Sequence, residues 1–160
     1  MQVSKHFKLS EFTKSQVATR NGIKNMPGSG EIKNLGNVAY EILEPTRAKF
    51  SKPVMINSGF RSLELNRKIG SSDSSQHTKG MAVDFEIIGI PNIQVAYWIQ
   101  NNCDFDQLIL EFYKPDEDNA GWIHASYCDG NNRKQVLTFD GKSYSDGLPD
   151  MEWKDGKVKE

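Results

Sequence analysis

Cysteine is scarce in this chain. The 160 residues include only Cys103 and Cys128, too few and too far apart for a CxxC zinc or redox motif or for a disulfide framework. Two free, partly buried thiols are expected, and a bridge between them is the alternative. Long apolar runs are lacking as well. None approaches the roughly 20 residues that a membrane helix needs, and the opening "MQVSKHFKLSEF" has no secretory h-region. The expectation is a product made in the cytoplasm without a signal peptide or a membrane span. Neither sign of charge is in excess, with Lys+Arg 20 against Asp+Glu 21, so nothing calls for nucleic acid or an anionic membrane as partner. Internal repeats and low-complexity tracts are absent. So are GxSxG, GxxxxGK[ST] and GxGxxG, which leaves serine-hydrolase and nucleotide-binding chemistries without local support.

What is present describes an ordinary globular protein, 37% hydrophobic and 10% aromatic, of a length that suits one domain over residues 1–160. In "LSEFTKSQVATRNG", Ser10 offers a cap, Phe12 and Val17 an apolar side and Gly22 a stop, the marks of a short helix. Ile32, Leu35, Val38, Ala39, Ile42 and Leu43 recur at three-to-four spacing and predict one buried helix face, which Pro45 should kink or end. "KPVMINSGF" reads as a short strand and "SLELNRKIG" as a short helix capped by Ser62. In "MAVDFEII" strict alternation puts Met81, Val83, Phe85 and Ile87 on one face, opposite Ala82, Asp84 and Glu86. A helix starts at Pro91. "DQLILEFY" and "GWIHASY" then read as a hairpin across the loop "KPDEDNA", and "QVLTFDGKSY" as a last strand or hairpin with Asp140-Gly141 as its turn. Residues 145–160 read as a loosely held charged tail. The fold class predicted is α+β, a small antiparallel sheet with helices packed on one side.

"SSQHTKGMAVDF" places His77 and Asp84 seven positions apart with Gly80 between them. A catalytic zinc site takes three ligands from His and carboxylate and leaves a fourth position for water. The spacing permits a turn at Gly80 that would bring His77 and Asp84 to one point, and in "GWIHASY" alternation places His124 on one face with Trp122 and Ser126 as the third candidate. A lone histidine is more often a polar loop or sheet residue than a ligand; two with a strand aspartate weigh toward a metal. Hydrolysis also needs a proton acceptor, usually Glu. Glu111 shares a face with Gln107 and Ile109, and registers that set it opposite Trp122 or His124 put it on the His124 face. Glu86, on the face of Asp84, competes for the role. Arg61, where a strand meets a helix start, suits a substrate carboxylate or an oxyanion, or is a surface arginine. Ser75 and Gln76 are candidates for orienting a ligand or contacting substrate.

Taken together, "HFKLSEF", "INSGFRS", "LNRKIGSSDSSQHTKGMAVDF", "FDQLILE" and "GWIHASY" resemble the D-alanyl-D-alanine carboxypeptidase-like zinc peptidases, a family that includes phage L-alanyl-D-glutamate endopeptidases. The resemblance runs from about His6 to about Arg133, with S-x-H-x-x-G-x-A-x-D and a later W-x-H as its specific core. It implies one zinc ion held by His77, Asp84 and His124, with Arg61 binding substrate or steadying the transition state. It also implies peptidoglycan stem peptides as substrate. Dipeptidase-like members carry the catalytic Glu three residues before the last histidine, where this chain has Gly121. The base therefore falls to Glu111, in the segment resembling their "DQLI-x-E" element. The expected protein is a monomeric wall-lytic enzyme of phage or bacterial origin, acting on the wall after release or as part of a virion. The alternative is a non-catalytic zinc-containing module that binds the wall.

Overall fold

A computed structural model describes residues 1–151 and, beyond them, the backbone of two short strands, Trp153–Lys154 and Lys157–Val158. The chain begins with two short helices, α1 (Leu9–Thr13) and α2 (Gln16–Arg20), where one was expected. Ser10 is not the cap. Glu11 reaches back to accept the Lys8 amide at 2.7 Å and so starts α1, while the Ser15 hydroxyl accepts the Ala18 amide at 3.2 Å and starts α2.

Helix α3 (Ser29–Val38) runs through a π-helical turn at Ala39–Leu43 into α4 (Glu44–Phe50). Pro45 thus does not end the helix. It sits in the first turn of α4, and the wider turn before it absorbs both the missing N–H and the bulk of its ring. Strand β1 (Met55–Ser58) follows, then α5 (Leu63–Lys68), where Ser62 is the cap, its hydroxyl accepting the Leu65 amide. After a 3-10 turn at Gln76–Lys79 come β2 (Ala82–Glu86), α6 (Asn92–Asn102), β3 (Gln107–Glu111), β4 (Trp122–Ser126), β5 (Gln135–Phe139) and β6 (Tyr144–Asp146).

Strands β1 to β6 form one sheet in the order β1-β2-β4-β3-β5-β6. The β3–β4 hairpin and the β5–β6 hairpin form as the alternation and the Asp140 turn predict. The Asp140 carboxylate accepts the amides of Lys142 and Ser143 at 2.8 and 2.9 Å. The sheet is not wholly antiparallel, because β5 pairs with β3 in parallel. Asp106 is the cause. Just before β3, it grips the Arg133 guanidinium, and the Phe105 and Asp106 carbonyls accept the amides of Lys134 and Gln135. The start of β5 is thereby fastened beside the start of β3.

Helices cover one face of the sheet. Leu35, Val38, Ile42 and Leu43 of the long helix and Val95 and Ile99 of α6 bury against Val83 and Phe85 of β2, Leu108 of β3 and Ile123 and Ala125 of β4. Alternation leaves Asp84, His124, Ile109 and Glu111 on the other face, free for chemistry. Of the tail expected from residue 145, the part through Met151 is docked: Leu148 and Met151 pack on Ile93, Ala96 and Leu110, and the Tyr97 hydroxyl donates to the Pro149 carbonyl at 2.7 Å. The side chains of residues 152–160 lie outside the described residues. Cys103 and Cys128 are free thiols, and burial pushes Cys103 up to about 11.

Candidate metal centre

Asp84 is the midpoint of the site. Register sets Ser58 of β1, Asp84, His124 of β4 and Ile109 of β3 side by side across the sheet, and residues directly opposite one another share a face. The His124 Nδ1 lies 2.9 Å from Asp84 Oδ1. His77 arrives from outside the sheet. Its backbone amide is held by the Ser75 hydroxyl, and Gly80 then adopts a φ of 71° against α3. A Cβ on Gly80 would stand 2.5 Å from the Glu31 carbonyl oxygen, so only glycine lets the turn pass that helix and deliver His77 to Asp84. The buried His77 ring donates from Nδ1 to the Gly59 carbonyl at 2.7 Å, which turns Nε2 toward Asp84 Oδ2 at 3.4 Å. The two imidazoles meet edge to face, their centroids 5.2 Å apart.

One ligand atom from each of His77, Asp84 and His124 lies within 4.8 Å of the others. Zinc–ligand bonds of about 2.0–2.2 Å in a tetrahedron separate the ligand atoms by roughly 3.3 Å, so small side-chain shifts suffice for these donors to close on such an ion. The protonation states suit it too. Burial lowers the pKa of His77 against the opposing pull of Asp84, which favours the neutral ring a metal requires. Burial pushes Asp84 up, but His77 and His124 outweigh it and hold the carboxylate well below its usual range. Fixing the far nitrogen of His77 on a backbone carbonyl is the orientation that metal-binding imidazoles need.

Glu111 ends β3 directly opposite Trp122. It stands on the His124 face, as the hairpin register required. Burial raises its pKa, His124 opposes the rise and Asp84 adds to it. Gly121 has a φ of 70°, and a Cβ there would overlap the carbonyl oxygen of Glu111. The backbone therefore has no room for any side chain three residues before the last histidine. Glu86 is occupied elsewhere, accepting from the Asn57 amide at 3.0 Å.

Arg61 lies beside the cluster, where Asp84 partly offsets the lowering of its pKa by burial. Its Nε is buried with no hydrogen-bond partner among the described residues. A buried guanidinium donor left open costs free energy unless a ligand completes it, and a groove lined by Ser58, Phe60, Arg61 and Leu65 opens there. Ser75 and Gln76 are drawn inward instead. Ser75 caps the turn, and the Gln76 amide donates to Asp106 Oδ2 at 2.9 Å and to the Cys128 sulfur at 3.3 Å. Both hold the turn that carries His77.

Three supporting residues escaped the sequence reading. Asp106 and Arg133 anchor Gln76, and Asn25 clamps the loop around Arg61 by donating to the Phe60 carbonyl and accepting the Ser62 amide. Asp106 carried a signal, a charge placed just ahead of an apolar strand. Asn25 carried none.

Two imidazoles, a carboxylate, a nearby glutamate and a half-buried arginine with an open donor gather at one face of the sheet, a set of groups suited to metal-dependent hydrolysis. The family model described as Peptidase M15 matches residues 5–124, three-quarters of the 160-residue chain. The chain belongs to that family, the D-alanyl-D-alanine carboxypeptidase-like zinc peptidases, as the resemblance of its motifs implied. The family is zinc-dependent, and His77, Asp84 and His124 form the group that could hold the ion. No curated protein matches the chain.

Proposed function

We propose that this chain hydrolyses peptide bonds of peptidoglycan stem peptides or cross-links. The observation that carries this reading is the convergence of Glu111 and Arg61 on the face that gathers His77, Asp84 and His124. Zinc, when bound, supplies Lewis acidity, lowering the pKa of a water from about 15.7 toward about 7 and polarising a carbonyl. The chain's own residues do the rest. Glu111, its basicity raised by burial, takes the proton of the attacking water and hands it to the leaving amine. Arg61 turns its open Nε donor on a substrate carboxylate or on the oxygen that gains charge in the transition state. His77 stays neutral and fixed by the Gly59 carbonyl.

The alternative of a non-catalytic wall-binding module drew its support from Gly121. That support weakens, since Gly121 answers a steric need and Glu111 offers a carboxylate on the same face. Zinc-loaded protein incubated with purified peptidoglycan should release new free amines and altered muropeptides, identified by mass spectrometry. Zinc-independent retention on the wall with no bond cut would reverse the assignment in favour of the binding module.

A further inference from the structure

The sheet row that holds Glu111 continues past it as aromatic rings. Glu111 lies between Trp122 of β4 and Phe139 of β5, and Phe139 lies opposite Tyr144 of β6. Phe112 joins them because its φ of 53° breaks the alternation of β3. Its ring centroid is 5.0 Å from that of Trp122 and 5.0 Å from that of Phe139, and Phe139 stacks on Tyr144 at 4.5 Å with planes 28° apart. Four rings thus run in unbroken contact from the glutamate to the edge strand.

None of the four belongs to either apolar core, and Phe112 and Tyr144 remain 41% and 57% exposed. A bulky residue at positive φ is strained where glycine or asparagine would sit at ease. An exposed, strained phenyl ring beside a half-buried carboxylate marks a surface kept for a ligand.

We propose that the row Trp122–Phe112–Phe139–Tyr144 is a subsite for the amino-sugar rings of the glycan strand, a proposal that rests on the peptidoglycan reading above. A stem peptide offers small methyl groups and charged ends, which cannot cover a flat aromatic surface. The sugar rings of the same polymer present a broad C–H face to stack on such a surface while their hydroxyls stay in water. Strands are about 4.8 Å apart, so Tyr144 lies roughly 10 Å across the sheet from Glu111. That is the reach of about three extended residues at ~3.3 Å each. The row therefore meets a sugar when the bond cut lies within the first few residues of the stem.

Calorimetric titration of the full, metal-free chain tests this without hydrolysis. The probes are a disaccharide carrying the first stem residues and the same peptide lacking the sugars. The sugar-bearing probe should bind about tenfold more tightly, each ring contact contributing a factor of a few. Tyr144→Ala and Phe112→Gly should each cut that advantage to about threefold or less. Glycine accepts the positive φ, so the second variant removes a ring without straining the fold. Equal affinity for the two probes, or an advantage that survives both substitutions, overturns the proposal. So does sedimentation showing a wild-type dimer that Tyr144→Ala dissociates, since the row would then be a contact between copies. A sugar advantage in a protein whose zinc-loaded form cuts no peptidoglycan would sink the hydrolase reading and leave the subsite standing.

Discussion

Restoring the glutamate that dipeptidase-like members carry three residues before the last histidine should destroy activity in this chain. Gly121 sits at φ 70°, a conformation that costs a residue with a Cβ about 1–2 kcal/mol. Its Cβ would also overlap the Glu111 carbonyl oxygen and lie 2.8 and 2.9 Å from the Glu111 carbonyl carbon and the Phe112 oxygen. These are backbone atoms and cannot swing aside as a side-chain tip would, so the end of the β3–β4 hairpin must move. The two effects together amount to about 3 kcal/mol or more, within the range of severe single substitutions. With a urea slope of about 2 kcal/mol/M, Gly121→Ala and Gly121→Glu should both lower the unfolding midpoint by roughly 1.5 M. Both should also lose turnover, because the displaced residue is Glu111. Gly30→Ala is the control: it lies in α3 with nothing within 4 Å of a Cβ, and alanine is the better helix former, so its midpoint should hold or rise. If Gly121→Glu folds with an unchanged midpoint and cleaves as well as wild type, the steric account is wrong and the base belongs at position 121.

Glu111→Gln should reduce turnover by about 10²–10⁴-fold, the usual worth of a general base, while stoichiometric zinc stays bound; full activity would move the role to Glu86. In the metal-free protein the same substitution should raise stability at neutral pH. The raised pKa of Glu111 means that its contribution is present below the unfolded value and lost as pH rises through the folded one, so denaturation curves of variant and wild type should converge in acid. His77→Ala should lose metal and activity together, and elemental analysis finding one zinc per chain would discredit the ligand set. Asp106→Asn should cost about 2 kcal/mol at neutral pH by weakening the charge-assisted bonds to Arg133. Arg133 leads the causes that hold Asp106 well below the usual carboxylate range, so its stabilisation is complete above about pH 4 and disappears as pH falls through the folded value. A loss independent of pH would mean that the ion pair is not its source.

The site was more legible in the sequence than its supports, for a physical reason. His77, Asp84 and His124 declare themselves through residue type, and alternation along β2 and β4 sorts Asp84 and His124 onto one face without tertiary knowledge. Glu111 follows in part: registers that set it opposite Trp122 or His124 put it on the His124 face, a one-residue slip would not, and the fold adopts the former. Contacts between distant segments hide better. The parallel placement of β5 depends on Asp106 meeting Arg133, 27 residues away, and local periodicity carries no trace of that. Ser75 and Gln76 read equally as orienting groups or substrate contacts because small polar residues beside a ligand suit either role; the bonds of Gln76 to Asp106 and Cys128 are visible only in the fold. Pro45 misled because its usual effect assumes an α-helical neighbour, and the π turn before it removes the clash.

The same alternation that builds the core also isolates the chemistry. Odd positions of β2 feed Val83 and Phe85 to the helices, while the even position between them hands Asp84 to the opposite face. Rigid strands thus fix two of the three donors and the candidate base, while the turn that brings His77 and the hairpin end beside Glu111 depend on glycines in left-handed backbone. Gly80 lets the His77 turn pass α3, and Gly121 lets β4 begin against the carbonyl of Glu111. Substitutions on the helix-facing side should therefore change stability with little effect on metal affinity, whereas a Cβ at either glycine should shift a donor or the base before it melts the sheet. Measured together, zinc affinity and unfolding midpoint separate these two kinds of damage.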